Sequence, residues 1–141
     1  MQRTGSAHWS GGLKEGNGTV STQSGVLRNT QYSFSTRFEN GVGTNPEELI
    51  AAAHAGCFAM ALSAELGKAG LTADSIDAQA TLTLDFIDGK PTITTSHLDV
   101  TVTIPGADRA KFEEAAHAAE VGCPVSRVLN AKVSMNAKLV S

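Results

Sequence analysis

The stretch Pro46-Glu-Glu-Leu-Ile-Ala-Ala-Ala-His-Ala-Gly-Cys57-Phe-Ala-Met-Ala-Leu62 decides how this 141-residue chain is read. Pro46 suits a first helical position, where its missing N–H costs nothing, and Glu47 and Glu48 complement the positive end of the helix dipole. Gly70 follows Lys68 as a stop signal, so the spacing predicts one long helix over 46–69. From Leu49 to Leu62 that helix is apolar nearly all round, and most of its side chains are Ala or Gly. A helix of this kind is normally buried on every side, and small residues admit close neighbours. A short chain has little with which to surround it, which points to a subunit interface.

Outward from this helix the chain alternates in twos. Just before it, Tyr32, Phe34, Thr36 and Phe38 alternate with Ser33, Ser35 and Arg37, the period of a half-buried strand. That reading turns Arg37 away from the face carrying Tyr32 and Phe34. Further upstream, extended pieces at 4–9 and 19–22 lie around the turn signals Gly11-Gly12 and Asn17-Gly18. After the helix, Ala78, Ala80, Leu82, Leu84 and Phe86 alternate with polar residues up to Asp88-Gly89, a two-residue hairpin signal. The return strand over 92–104 places Leu98, Val100, Val102 and Ile104 on one face. A second helix is expected over 107–120, with Phe112, Ala115, Ala116 and Ala119 inward. Pro124 opens a short helix over 124–130, and Val133, Met135, Ala137 and Leu139 mark a last strand. The order β-β-β-α-β-β-α-(short α)-β has hairpins and no β-α-β alternation. It predicts one α+β domain over 1–141, with antiparallel sheets packed around two main helices.

The charge balance excludes some functions. With 11 basic and 14 acidic residues the net charge is −3, and no Lys/Arg run or basic stripe is present. Nucleic acid and an anionic membrane are therefore not the expected partners. The start lacks the apolar stretch of a signal peptide, and no run of about 18 apolar residues is found to span a bilayer. Asn17-Gly-Thr19 fits a glycosylation sequon, read as chance without a secretory signal. The expected location is the cytoplasm, where a paired-cysteine system is more often catalytic or metal-binding than a permanent disulfide.

There are two cysteines, Cys57 and Cys123. A thiol reacts as its thiolate, and apolar surroundings raise its pKa unless a cation or dipole offsets them. Cys57 lies too deep in its helix for much macrodipole help. If reactive, it needs a cation from elsewhere. Arg37, held by Glu47 or Glu48 in a bidentate pair, is the candidate. The plain alternative is a core cysteine filling a gap. Cys123 directly precedes Pro124 at the N-cap of a short helix, where N–H groups favour an anion. Local physics makes Cys123 the more acidic thiol, and which thiol attacks first stays open on these grounds. His54, three residues before Cys57, reads as a core or interface histidine. A zinc site from His54, Cys57 and Cys123 is the competing use, although a closed site wants four ligands. His8, His97 and His117 read as strand or helix-surface residues.

At these residues the chain resembles the osmotically inducible protein C / organic hydroperoxide resistance (OsmC/Ohr) family of thiol peroxidases, nearly end to end. Ala7-His-Trp9, Gly18-Thr-Val-Ser-Thr22, Ser24-Gly-Val-Leu27 and Thr36-Arg-Phe38 match its N-terminal pattern. Thr44-Asn-Pro-Glu-Glu-Leu49 and Ala53-His-Ala-Gly-Cys-Phe58 match its first cysteine helix, and Gly122-Cys-Pro-Val-Ser126 its second cysteine turn. The wording is closer to the OsmC branch. The resemblance implies an OsmC-like fold forming an intertwined homodimer with two active sites at the subunit interface. It implies that Cys57 is the peroxidatic thiol, Cys123 the resolving one, Arg37 the cation beside the thiolate and Glu47 the carboxylate pairing with it. It also implies reduction of organic and fatty-acid hydroperoxides, more weakly of hydrogen peroxide, with a lipoyl-type dithiol as reductant, no cofactor, and a role in oxidative or osmotic stress defence. An apolar wall from Phe58, Met60 and the dimer partner would suit such substrates. The rival readings are a non-enzymatic dimer with an apolar ligand pocket and the zinc protein.

Overall fold

Caps and turns divide the chain into its elements. In the computed structural model, which describes residues Met1–Ser141, these are β1 (Gly5–Ser10), β2 (Asn17–Thr22), β3 (Thr30–Tyr32), α1 (Phe34–Phe38), α2 (Pro46–Lys68), β4 (Ser75–Ile87), β5 (Lys90–Thr103), α3 (Arg109–Gly122), α4 (Pro124–Val128) and β6 (Lys132–Val140). They fall into two compact units, Met1–Leu49 and Ile50–Ser141.

In the first unit, β1, β2 and β3 form an antiparallel sheet in that order. Asn17-Gly18, expected as a turn, lies inside β2, opposite Ser10 and Trp9. Gly18 is required there by its neighbours. A Cβ on it would sit 2.7 Å from both the Trp9 and Tyr32 rings, whose centroids are 5.4 Å apart.

The strand expected over 32–38 stops at Tyr32. Ser33 accepts the Thr36 N–H on its hydroxyl at 3.2 Å, and the Thr36 hydroxyl accepts the Ser33 N–H at 2.8 Å. This capping box nucleates α1. A turn of helix then stacks Phe34 on Phe38, four residues apart, with centroids 4.9 Å apart. Arg37 therefore sits on a helix and not on a strand face.

The start of α2 is heavily capped. Asn45 accepts the Glu48 N–H at 2.8 Å and donates to Glu48 Oε1 at 3.2 Å, while the Thr44 hydroxyl donates to Glu48 Oε2 at 3.0 Å. These bonds satisfy donors that a helix terminus otherwise leaves unpaired. By length and mean hydropathy alone α2 is apolar enough to cross a membrane, more so than the sequence reading allowed. In the fold, however, it is built into the core by one stripe only: His54, Phe58, Leu62 and Leu66, at i, i+4 spacing. Its other face, with Met60 at 78% exposure, is open in the single chain.

In the second unit β4 and β5 form the expected hairpin, and Asp88 and Gly89 both adopt positive φ (51° and 76°), the geometry of a type I′ turn. The sheet order is β4-β5-β6. Here one expectation needs correcting, because β6 runs parallel to β5. A parallel return needs a crossover of about a dozen residues or more, usually helical, and α3 with α4 supplies it. Period-2 alternation identifies a strand but carries no information about its direction. The stripe of α2 and Phe112, Ala115, Ala116 and Ala119 of α3 belong to the same buried cluster as Leu98, Val100 and Val102 of β5. Each such large side chain contributes about 1.5–3 kcal/mol when fully buried.

Candidate active site

The two thiols meet where the middle of α2 faces the junction of α3 and α4. Cys57 lies one residue before Phe58 of the buried stripe, so it sits at the edge of the core and is half-buried. Cys123 ends α3, where its N–H bonds to the Ala119 carbonyl at 3.0 Å, and at the same time caps α4. It is fully buried. The two Sγ atoms are 2.9 Å apart, longer than a disulfide bond of about 2.05 Å, and both thiols are free.

Their environments differ. Burial pushes the Cys57 thiol up; a hydrogen bond from its own S–H to Cys123 and the negative charge on Cys123 push it the same way, against the opposing effect of the Val125 amide. Burial also raises Cys123, but donors outweigh it: the Cys57 thiol, the Ser126 amide and hydroxyl, and the Val125 amide hold it below the ordinary value. None of the α4 donors closes as a regular capping bond. They act as nearby dipoles. In the sulfur–sulfur contact Cys123 Sγ is the donor and Cys57 Sγ the acceptor. The donors gathered around Cys123 favour the converse, with charge on Cys123 and the proton on Cys57.

His54, fully buried, faces inward from α2. Its Nδ1 bonds to the Ser96 hydroxyl of β5 at 2.7 Å and its Nε2 to the Ser126 hydroxyl of α4 at 2.8 Å. Burial lowers its pKa, so the ring is held neutral. Both nitrogens are thus engaged by hydroxyls, and neither lone pair is aimed at the thiols as a zinc ligand would be. Ser96 and Ser126 carried no role in the sequence reading. Ser96 continues the inward face of Leu98, Val100 and Val102, where a polar residue signals a buried partner.

In the first unit the structure separates the two adjacent carboxylates by task. Glu47 takes Arg37, with Nε at 3.0 Å and a terminal nitrogen at 2.8 Å, both on Oε1. The pair is therefore not the expected two-oxygen fork, and Glu47 Oε2 is buried without a partner. Glu48 is consumed by the α2 cap. The Arg37 guanidinium also lies over the Phe38 ring, 5.3 Å from its centroid, within cation–π range. Beside it opens an apolar cavity of about 290 Å³ lined by Trp9, Leu13, Tyr32, Phe34 and Phe38 together with Arg37. Arg37 thus shares a cavity with Tyr32 and Phe34, the reverse of the strand-based expectation. Phe58 belongs to the core and lines no wall, while Met60 is exposed. His97 bonds to Ser134 at 2.6 Å, and His117 lies 3.8 Å from Glu120, both outside the thiol cluster.

Comparison with known proteins agrees with this geometry. The sequence model of the family described as OsmC-like protein matches residues 38–138. Over 141 residues the chain is 50% identical to Peroxiredoxin OsmC of Escherichia coli strain K12, spanning 100% of this chain and 99% of that protein. Peroxiredoxin OsmC of Shigella flexneri matches with the same identity and coverage. Among solved structures, the organic hydroperoxide resistance protein OhrB of Bacillus subtilis is 28% identical with a TM-score of 0.64, over 97% of this chain and 98% of that one. An OsmC-like protein of unknown function from Vibrio cholerae superposes with a TM-score of 0.77 at 17% identity, over 97% and 99% of the two chains, a likeness of fold.

Proposed function

The chain belongs to the OsmC-like protein family, on the OsmC branch, and from that premise we propose that it is a thiol peroxidase that reduces organic hydroperoxides to alcohols. The observation that carries the reading is the pair of free thiols at 2.9 Å. The Cys57 thiolate attacks the terminal peroxide oxygen. The O–O bond breaks, the alkoxide leaves with a proton as the alcohol, and Cys57 becomes a sulfenic acid. Cys123 then attacks the Cys57 sulfur, hydroxide leaves and takes a proton as water, and a disulfide forms. The sulfurs close by only about 0.9 Å for that bond. A dithiol, of lipoyl type in this reading, donates two electrons and two protons and restores both thiols.

Cys57 has the wrong acidity for the first step in this chain alone, since burial and Cys123 both raise it. Arg37, oriented by Glu47, is the cation that reverses this and stabilises charge on the departing oxygen. The aromatic cavity beside Arg37 favours an apolar substituent on the peroxide. The working form is a homodimer of single 1–141 domains with two active sites at the subunit interface. It is supported by the open face of α2 and by a first unit that contributes no residue to the buried apolar core. The location is the cytoplasm, because the cycle needs a compartment that keeps thiols reducible, and the role is defence against peroxide stress.

The decisive experiment counts free thiols before and after one equivalent of an organic hydroperoxide. Rapid loss of two thiols with one intramolecular Cys57–Cys123 disulfide is expected. Undiminished peroxide consumption by the Cys57→Ser protein would overturn the reading.

A further inference from the structure

The aromatic cavity of the first unit carries a charge that the peroxidase chemistry leaves unused. Trp9, Leu13, Tyr32, Phe34, Phe38 and Arg37 line about 290 Å³, at the small end of the range for ligand sites. Two cations stand against its rings. The Arg37 guanidinium lies over Phe38, 5.3 Å from the centroid, and Lys14 Nζ lies over Phe34, 5.9 Å from the centroid. Phe34 and Phe38 are themselves in contact, with centroids 4.9 Å apart, so the cations bracket one continuous aromatic wall.

The two cations are not equivalent. Arg37 gives Glu47 Oε1 two contacts, at 3.0 and 2.8 Å, and its charge is balanced. Lys14 follows the wall residue Leu13 and takes part in no ion pair. The carboxylate of its neighbour Glu15 reaches back over Gly12 instead. A ring face holds an ammonium on one side and leaves its remaining N–H groups free to donate. The cavity therefore combines apolar walls with one unmatched positive charge.

We propose that Lys14 is a specificity-determining residue of this cavity: its ammonium receives the carboxylate of an acidic hydroperoxide whose hydrocarbon body lies on the Phe34 and Phe38 rings. This rests on the peroxidase reading for the nature of the reacting group. A carboxylate seated on Arg37 would have to displace Glu47, whereas one seated on Lys14 displaces nothing but water. A neutral hydroperoxide meets the same rings and leaves Lys14 to solvent. The site thus separates an acid from its amide or ester by charge and not by size. Lys14 is exposed, so the preference is modest, about two- to fivefold, the worth of an exposed ion pair.

Trp9 is the one tryptophan of the chain and lines the cavity, so its fluorescence reads occupancy without turnover. The test titrates the Cys57→Ser protein with octanoate and with octanamide, which differ in charge and hardly in size. Octanoate is expected to bind about two- to fivefold more tightly at low salt. Lys14→Met, which keeps an apolar stem of similar length, should abolish that difference, and Lys14→Arg should retain it. Salt at about 0.5 M should reduce it as well. In the native protein Lys14→Met should raise KM for a carboxylate-bearing hydroperoxide more than for its methyl ester, with kcat following neither. Equal binding of the two probes would overturn the proposal, as would a preference that survives Lys14→Met. Weaker binding of both probes alike in Lys14→Met would assign Lys14 to packing and overturn it too, and so would Trp9 fluorescence that neither probe moves. The titration involves no peroxide, so its failure leaves the peroxidase reading intact, and that reading fails separately on turnover by Cys57→Ser.

Discussion

At the residue scale the central problem is that Cys57, the thiol proposed to react first, is the one its surroundings make less acidic. Burial is the largest cause, and Cys123 adds to it. Removing Arg37 should therefore leave Cys57 protonated: Arg37→Ala is expected to lower kcat/KM for an organic hydroperoxide by about 10²-fold or more, the usual loss on removing one charged stabiliser. The deficit should shrink as pH rises and Cys57 ionises by itself, which a pH–rate profile reads directly. Cys123→Ser is expected to give a single oxidation that stalls at the sulfenic acid or over-oxidises, detectable by intact mass. His54 yields a stability prediction of definite sign. Its folded pKa lies below its ordinary value of about 6.5 because burial disfavours the charged ring. The unfolded chain therefore binds a proton that the native one refuses, and stability rises with pH through this window. Above about pH 6.5 the contribution is complete. As pH falls below that, it is lost progressively until the folded ring itself titrates. Urea unfolding midpoints of the native protein should fall as pH drops below about 6.5, and His54→Gln should remove that slope.

At the element scale the site depends on helix starts and stops. The capping box of Ser33 and Thr36 begins α1 and thereby aims Arg37 at Glu47. Ser33→Ala should weaken this short helix by about 1 kcal/mol, and peroxidase activity should fall with little change in the global unfolding midpoint. On α2 the two faces should respond differently. Leu62→Ala, in the buried stripe, is expected to cost about 2–5 kcal/mol in denaturant unfolding, whereas Met60→Ala on the open face should change the stability of the single chain little. Much of this architecture was legible in the sequence. The long helix announced itself by Pro46, the acidic first turn and Gly70, and the β4–β5 hairpin by period-2 alternation around Asp88-Gly89. The strand expected over 32–38 failed because Tyr32, Phe34, Thr36 and Phe38 also satisfy the i, i+4 pairing of a helix, and Ser33-x-x-Thr36 makes that alternative win. The direction of β6 was hidden because alternation reads the same in both directions. At the site, residue chemistry singled out the thiols and a possible cation, but sequence separation hid which groups meet. Cys57 and Cys123 are 66 positions apart, and only the family resemblance paired them. Glu47 and Glu48 were indistinguishable by type, and the geometry divides them between the arginine and the helix cap.

At the scale of the whole molecule, the distribution of buried apolar surface argues for a second copy. Every residue of the buried apolar core comes from the span Phe58–Leu139. The first unit, Met1–Leu49, buries Thr36 and Thr44 but leaves Trp9, Tyr32, Phe34 and Phe38 only partly covered. A segment of that size rarely sustains a core of its own without help from disulfides, metals or other chains. The open face of α2 has the matching deficiency, with small residues and Met60 lacking a neighbour; a Cβ at Gly56 would meet nothing within 4 Å. Association of two copies would cover both surfaces and exclude water from the thiols, which strengthens the field of a nearby guanidinium. If each site is completed by both subunits, with Arg37 from one and Cys57 from the other, inactive variants should rescue each other. Arg37→Ala supplies a sound Cys57, and Cys57→Ser supplies a sound Arg37. Mixed by co-expression, random pairing makes half of the dimers hybrid, and each hybrid carries one intact site. Peroxidase activity approaching about a quarter of the native value per subunit is therefore expected, and it should depend on subunit exchange. Sites confined to one chain predict no recovery at any mixing ratio, and a monomer by sedimentation would remove the premise altogether.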